Sequence, residues 1–210
     1  MEIPPEHVVR ANVERWERMV ASGEVVMFGT PSGQAVTLSD PDRSWATHFE
    51  EVRDKLVGAL GDVAVRIDHV GSTSIPGIVA KPIIDVQVSV PDIEDEDAYR
   101  PAIESLGWPM RSREPGHRYF RDPSDQPRRV QIHVCEAGGE WERDHLLFRD
   151  YLCAHPSRAA EYGELKRALA ALYGTSDRVA YTEAKTPFIR ETVRFAEEWA
   201  ARINWQTAGR

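Results

Sequence analysis

The chain predicts an α/β (α+β) protein, a mixed β-sheet core with helices followed by a C-terminal helical bundle, and three patterns carry that expectation. Apolar residues alternate with others over 63–67, 84–90 and 130–134, the period of strands. Between those runs they recur at three- and four-residue intervals, the period of helices. Beyond about residue 140 the helical period is all that remains. A chain of 210 residues has room for one sizeable core and a small helical unit, but hardly for two full domains. The expected division is an N-terminal extension over 1–35 (a helix and a hairpin strand), an α/β core over 36–138 and a helical region over 139–210.

Pro4 and Pro5 precede Val9, Val13, Trp16 and Val20, whose spacing predicts an amphipathic helix over 5–21 laid on the body. The runs GEVVMF and AVTLSD flank the stretch GTPSGQ and read as a hairpin. Trp45, Phe49, Val52 and Leu56 line one face of a helix over 44–60 that Gly61 ends. Val63, Val65 and Ile67 give a strand running into GSTSIPGIVAKP. In the next strand Ile84, Val86, Val88 and Val90 share one face, while Asp85, Gln87 and Ser89 share the other. An acidic loop, PDIEDED, leads to a helix ending near Gly107. Residues 117–121 and 128–135 read as two strands about a Pro-containing turn, with Val130, Ile132 and Val134 toward the core and Gln131, His133 and Cys135 away from it. Helices follow over 141–155, 157–173 and 177–203, with Pro187 opening a new one inside the last. Leu165, Leu169 and Leu172 form a stripe expected in the core, as are Tyr151, Tyr162 and Tyr181.

Composition bounds the function. Apolar residues make up 41% and charged residues 29%, the balance of a soluble globular protein. No apolar run approaches membrane-spanning length, and charges fall where a secretory signal is apolar, so a cytoplasmic protein without membrane contact is expected. Cys135 and Cys153 are too few for a disulfide framework and lack zinc-site spacing; both are expected to be buried thiols. A net charge of -8 argues against general nucleic-acid binding. Between Arg111 and Arg129, however, six arginines face three acids. That surplus suits a small phosphorylated ligand, or else a strand edge defended against pairing.

Chemistry concentrates at one predicted sheet end. Gly71, Ser72 and Thr73 follow a strand, where glycine allows close backbone approach and free N–H groups and hydroxyls can hold phosphate oxygens. Alone, this is equally a tight turn. Thirteen residues separate Gly71 from Asp85, which interrupts a Val/Ile strand, where a carboxylate costs stability unless paired or metal-bound. His133, on the polar face of a later strand, and Asp68 and His69, just before the turn, are further candidates. Lys81, Lys166, Lys185, Arg118, Arg121 and Arg149 could clamp phosphates, although Arg149 beside Asp150 reads better as a helix-to-sheet ion pair.

The stretch IDHVGSTSIPGIVAKPIIDVQVSV resembles the central motif of GrpB-like proteins, and the likeness continues through IHV, FRDYLCAHP, EYGELK and YTEAKTPFI, over roughly residues 36–200. That family is assigned to the nucleotidyltransferase superfamily, in which a Gly-Ser turn precedes a strand bearing Asp-x-Asp or Asp-x-Glu and a later strand bears a third acid. The resemblance puts Gly71 and Ser72 at the turn, Asp85 at the first acid, Gln87 at the second, and Gln131 or His133 at the third. One carboxylate with a glutamine amide supplies half the charge of the usual pair, so Mg2+ would bind weakly. Asp85 with His133 suits a transition metal, or a general base with its orienting acid, better.

The resemblance implies metal-assisted nucleotidyl or phosphoryl transfer to a small molecule. In that scheme Asp85, His133 and Asp68 are catalytic, and Asp85, Gln87 and His133 hold Mg2+ or another divalent metal. Gly71, Ser72, Thr73, Lys81, Arg118 and Arg121 bind the nucleotide or phosphorylated ligand. The incomplete acid set leaves two alternatives open. One is a degenerate nucleotide-binding or accessory module, since family members are similar to a domain fused behind some dephospho-CoA kinases. The other is cyclisation or hydrolysis of a non-nucleotide substrate.

Overall fold

A computed structural model describes residues 3–29, 35–174 and 177–207. Seven α-helices among these residues surround a six-stranded mixed sheet. α1 spans Glu6–Ser22 and α2 spans Ser44–Leu60, matching the helices read from apolar spacing. Gly23 and Gly61 close them with positive φ angles of 80° and 53°, a conformation that costs glycine little. The strands are β1 (Val26–Met27), β2 (Arg66–Val70), β3 (Ile84–Val90), β4 (Met110–Glu114), β5 (His117–Arg121) and β6 (Val130–Glu136). Their spatial order is β1-β4-β5-β6-β3-β2, with β3 and β6 parallel and every other pair antiparallel. α3 (Glu96–Ser105) connects β3 to β4. The helices α4 (Glu140–Ala154), α5 (Pro156–Tyr173), α6 (Arg178–Glu183) and α7 (Thr186–Ile203) complete the chain.

Strand alternation sorts the sheet into two faces. Val86, Val88, Ile132, Val134 and Phe120 join Trp45, Phe49, Val52 and Leu56 of α2 and Tyr99 and Ile103 of α3 in the main core. Register carries the other face across neighbouring strands: Asp68 lies beside Gln87, Gln87 beside His133, and His133 beside Tyr119. α4 lies over this polar face, with Trp141 stacked on His117 at a centroid distance of 4.7 Å. A second core gathers α4 to α7 with Val9 of α1 and Ile75 and Ile78 of the loop after β2. The N-terminal helix packs into this helical layer through Val9.

Several expectations are corrected. The hairpin does not form: Val26 and Met27 pair with Arg113 and Ser112 of β4, and Ser39 bridges to Ala80. Most of its expected turn lies outside the described residues. β2 begins at Arg66, because Val63 is taken into a short 3-10 turn over Gly61–Val63. β4 went unread because MRSRE has no apolar alternation to show it. Leu172 is 55% exposed at the end of its stripe, and Cys153 is exposed while Cys135 is buried. No helix among the described residues is long and apolar enough to cross a membrane.

Candidate active site

The chain folds the turn after β2 tightly. Gly71 has φ 68° and ψ -169°, and a Cβ built there would meet Asp85 Oδ2 at 2.2 Å. Glycine is thus required twice, by the backbone angle and by the carboxylate resting on its Cα. Ser74 Oγ donates to Gly71 O at 2.6 Å, and Thr73 Oγ1 donates to Ile83 O at 3.2 Å, fastening the turn to the start of β3. Thr73 also contacts His69 Nε2 at 2.9 Å and is buried, so its hydroxyl is structural. Only Gly71 and Ser72 of the predicted turn face the open cleft.

That cleft encloses about 440 Å3 between the polar sheet face and the helices α5 and α6. Asp85 is its only carboxylate among the described lining residues, and five cationic side chains line it as well: Lys81, Arg128, Lys166, Arg178 and Lys185. Tyr119, Tyr162 and Tyr181 supply rings, with His117, His133 and His145 at one side. Lys81 Nζ and Lys185 Nζ lie 5.5 Å and 5.0 Å from the Tyr181 ring centroid. Burial first, then the charges of its cationic neighbours, pushes Lys81 well below its ordinary value and Lys166 down to about 7. Lys185 is lowered by the same burial.

His133 comes to Asp85 as expected, with Nε2 3.6 Å from Oδ1. Asp68 shares their sheet face but is turned to Arg66, which donates from Nε at 2.6 Å, and lies 3.6 Å from Arg149 Nη1. Arg149 ties α4 to β2 by donating to His69 O, while its ion pair with Asp150 lies within α4 rather than between helix and sheet. His69 lies on the opposite face, stacked on Phe49 with centroids 4.7 Å apart. Arg118 and Arg121 do not enter the cleft. Arg118 lies beneath α3, only 2% exposed, and donates to Glu96 Oε1 at 2.6 Å and Glu94 Oε2 at 2.8 Å. Arg121 is buried and donates to Asp122 O at 2.9 Å.

Of the expected metal set, Asp85 and His133 come together and Gln87 does not join them. Gln87 is fully buried, and neither of its amide atoms has a hydrogen-bond partner among the described residues. Among those residues no three His, Cys, Asp or Glu side chains are grouped as metal ligands. One carboxylate amid five cations is also the wrong balance for a hard divalent ion, which seeks several anionic oxygens. These donors do not fit a resident Mg2+.

Sequence reasoning missed His117, Arg128 and Arg178 as lining residues. Two had signals: His117 alternates with Tyr119 along β5, and Arg178 lies three residues before Tyr181 on α6.

The family model described as GrpB protein matches residues 35–194. The chain belongs to the GrpB family. A UPF0157 protein of Streptomyces coelicolor is 41% identical over 165 residues, covering 79% of this chain and 86% of that protein. A crystal structure of the conserved protein GrpB from Enterococcus faecalis superposes with a TM-score of 0.69 at 30% identity, covering 78% of this chain and 99% of that one. A protein named dephospho-CoA kinase from Mycolicibacterium paratuberculosis is 29% identical over 97% of this chain, which spans 56% of that protein. The GrpB match includes Gly71, Asp85, His133 and all five cleft cations.

Proposed function

We propose that this GrpB-family protein is a nucleotidyltransferase-like enzyme that binds a nucleotide or related phosphorylated small molecule and transfers its nucleotidyl or phosphoryl group. The observation that carries the reading is the imbalance of five basic side chains against one carboxylate in one cleft. Ammonium and guanidinium groups fixed where charge develops on phosphoryl oxygens can neutralise it without reorganising. Lys81, Lys185 and Arg128, with the Gly71–Ser72 turn, hold the phosphates, and the partly exposed Tyr119 offers a ring for an aromatic base. The His133 imidazole, beside Asp85, takes the proton from the acceptor hydroxyl or amine. The dephospho-CoA kinase relative supports including CoA-type ligands in the substrate class.

A second reading, a binding module without turnover, is favoured by the burial of Gln87 where nucleotidyltransferases carry a second acid. One experiment separates the two. Thermal melting is followed with ATP, GTP, CTP, UTP and CoA, with and without Mg2+ or Mn2+, on wild type and Asp85→Asn, and product formation is assayed alongside. Saturating ligand at about a hundred times Kd stabilises by about 2.7 kcal/mol, or about 5–10 °C in Tm. The enzyme reading expects that shift in both proteins and product only with wild type. A shift without product selects the binding module, and no shift with any of these ligands overturns both.

A further inference from the structure

The base at the cleft does not stand alone. His133 Nδ1, on the far side of its ring from Asp85, shares a hydrogen bond with His117 Nε2 at 2.9 Å. His117 Nδ1 in turn lies 3.6 Å from Glu114 Oε2, and Ser112 Oγ donates to the other oxygen of Glu114 at 3.0 Å. Two imidazoles are thus joined end to end between two carboxylates. Exposure changes along the line: the Asp85 and His133 side chains are 23% and 20% exposed, His117 only 10%, and Glu114 opens again to 35%. Trp141 stacks on both rings, 4.7 Å from His117 and 5.4 Å from His133, and His145 stacks on Trp141 at 3.6 Å. This cover keeps water from breaking the bond between the histidines.

We propose that His133, His117 and Glu114 form a proton relay from the cleft to the solvent edge of β4, with His117 and Glu114 as positioning residues for His133. The inference rests on the reading of His133 as the cleft's base. In the neutral chain each imidazole carries one N–H, so the line has a polarity, and the carboxylates at its two ends compete to set it. Asp85 Oδ1 lies 3.6 Å from His133 Nε2, and Glu114 Oε2 lies the same 3.6 Å from His117 Nδ1, so distance alone does not set the polarity. A base at His133 Nε2 needs a bare lone pair there, so the relay's polarity runs toward Glu114. His117 holds its proton at Nδ1, His133 holds its proton at Nδ1, and His133 Nε2 presents a bare lone pair to the cleft.

The transfer balances with one proton. The acceptor O–H gives its proton to His133 Nε2, His133 passes the Nδ1 proton to His117 Nε2, and His117 passes its Nδ1 proton to Glu114. Glu114, with its side chain 35% exposed, passes the proton on to water. Burial lowers His117, which favours the neutral ring that relay requires.

The test needs no substrate. Imidazole 15N resonances of the full-length protein report which nitrogen of each histidine carries hydrogen. The expected result is a bare Nε2 and protonated Nδ1 on His133 in wild type and in Glu114→Gln, whose amide oxygen still accepts from His117. In Glu114→Leu, which cannot accept, the bare resonance should move to His133 Nδ1, although residue 114 has no contact with that ring. His69 on the opposite sheet face should be unchanged in all three and serves as the control for folding. A wild-type His133 protonated at Nε2, or a His133 that ignores Glu114→Leu, overturns the relay. Neither result bears on whether the cleft binds a nucleotide.

Discussion

Lys166 shows how far the cleft departs from an ordinary protein surface. It is 2% exposed, its ammonium donates to Val79 O, and it lies 4.7 Å from the Tyr162 ring centroid. With its folded value about 7 against an ordinary 10.5, the folded state binds fewer protons than the unfolded chain between those pH values. Stability therefore rises with pH across that window, and below it the buried charge costs its full amount. Lys166→Met keeps the length and removes the charge. It should raise Tm by several degrees at pH 6, with the gain shrinking as pH approaches 10. Calorimetric melting of both proteins across pH checks this, and a gain independent of pH would show that Lys166 does not titrate. Some of this site was legible in the sequence: Asp85 stands out in a Val/Ile strand, and Gly71 and His133 fall at its level. Arg118 misled because counting arginines ignores alternation, which turns Arg118 under α3. The depressed lysines were unreadable, since their burial comes from α5 and α6 folding over the sheet.

At the scale of elements, helices were read more accurately than strand partners. The apolar stripes of α1 and α2 give their bounds within a residue or two, because a helix satisfies its own backbone and announces its buried face. A strand's partner is not local. Val26 and Met27 looked like one arm of a hairpin but pair with β4, more than eighty residues on. The sequence likewise gave no sign of what α1 does. α1 packs on α6, and Asn12 Nδ2 donates to Glu183 O at 3.4 Å. α6 carries Tyr181 and Arg178 into the cleft, so α1 braces a cleft wall it never touches. Val9 is 3% exposed in this packing, and Val9→Asp buries an unpaired carboxylate at a cost of about 3 kcal/mol. The variant should melt about 6–12 °C lower and bind cleft ligands more weakly, although no lining residue is altered. Ligand affinity equal to wild type in a destabilised Val9→Asp would show that α6 holds its place without α1.

At the scale of the whole molecule the charge is divided. The chain carries a net charge of -8, yet five of its cations converge around one carboxylate in a space of about 440 Å3. A nucleic acid must bring a long row of phosphates against the outer surface, where this protein is mostly acidic and repels it. A short polyanion avoids that repulsion, because it enters the cleft and meets only the convergent cations there. Inorganic triphosphate tests this separation, since it has the charge of a nucleotide and no base. It should raise Tm in a saturable way, and a duplex oligonucleotide at equal phosphate concentration should not. Reversing one wall, as in Lys81→Glu, should abolish the triphosphate shift by leaving two carboxylates among four cations. The shift should also persist at moderate salt, since charges enclosed by Tyr119, Tyr162 and Tyr181 are screened less than exposed ones. Equal stabilisation by triphosphate and duplex, or a triphosphate effect that vanishes at about 0.15 M salt, would place the binding on scattered surface charges rather than in the cleft.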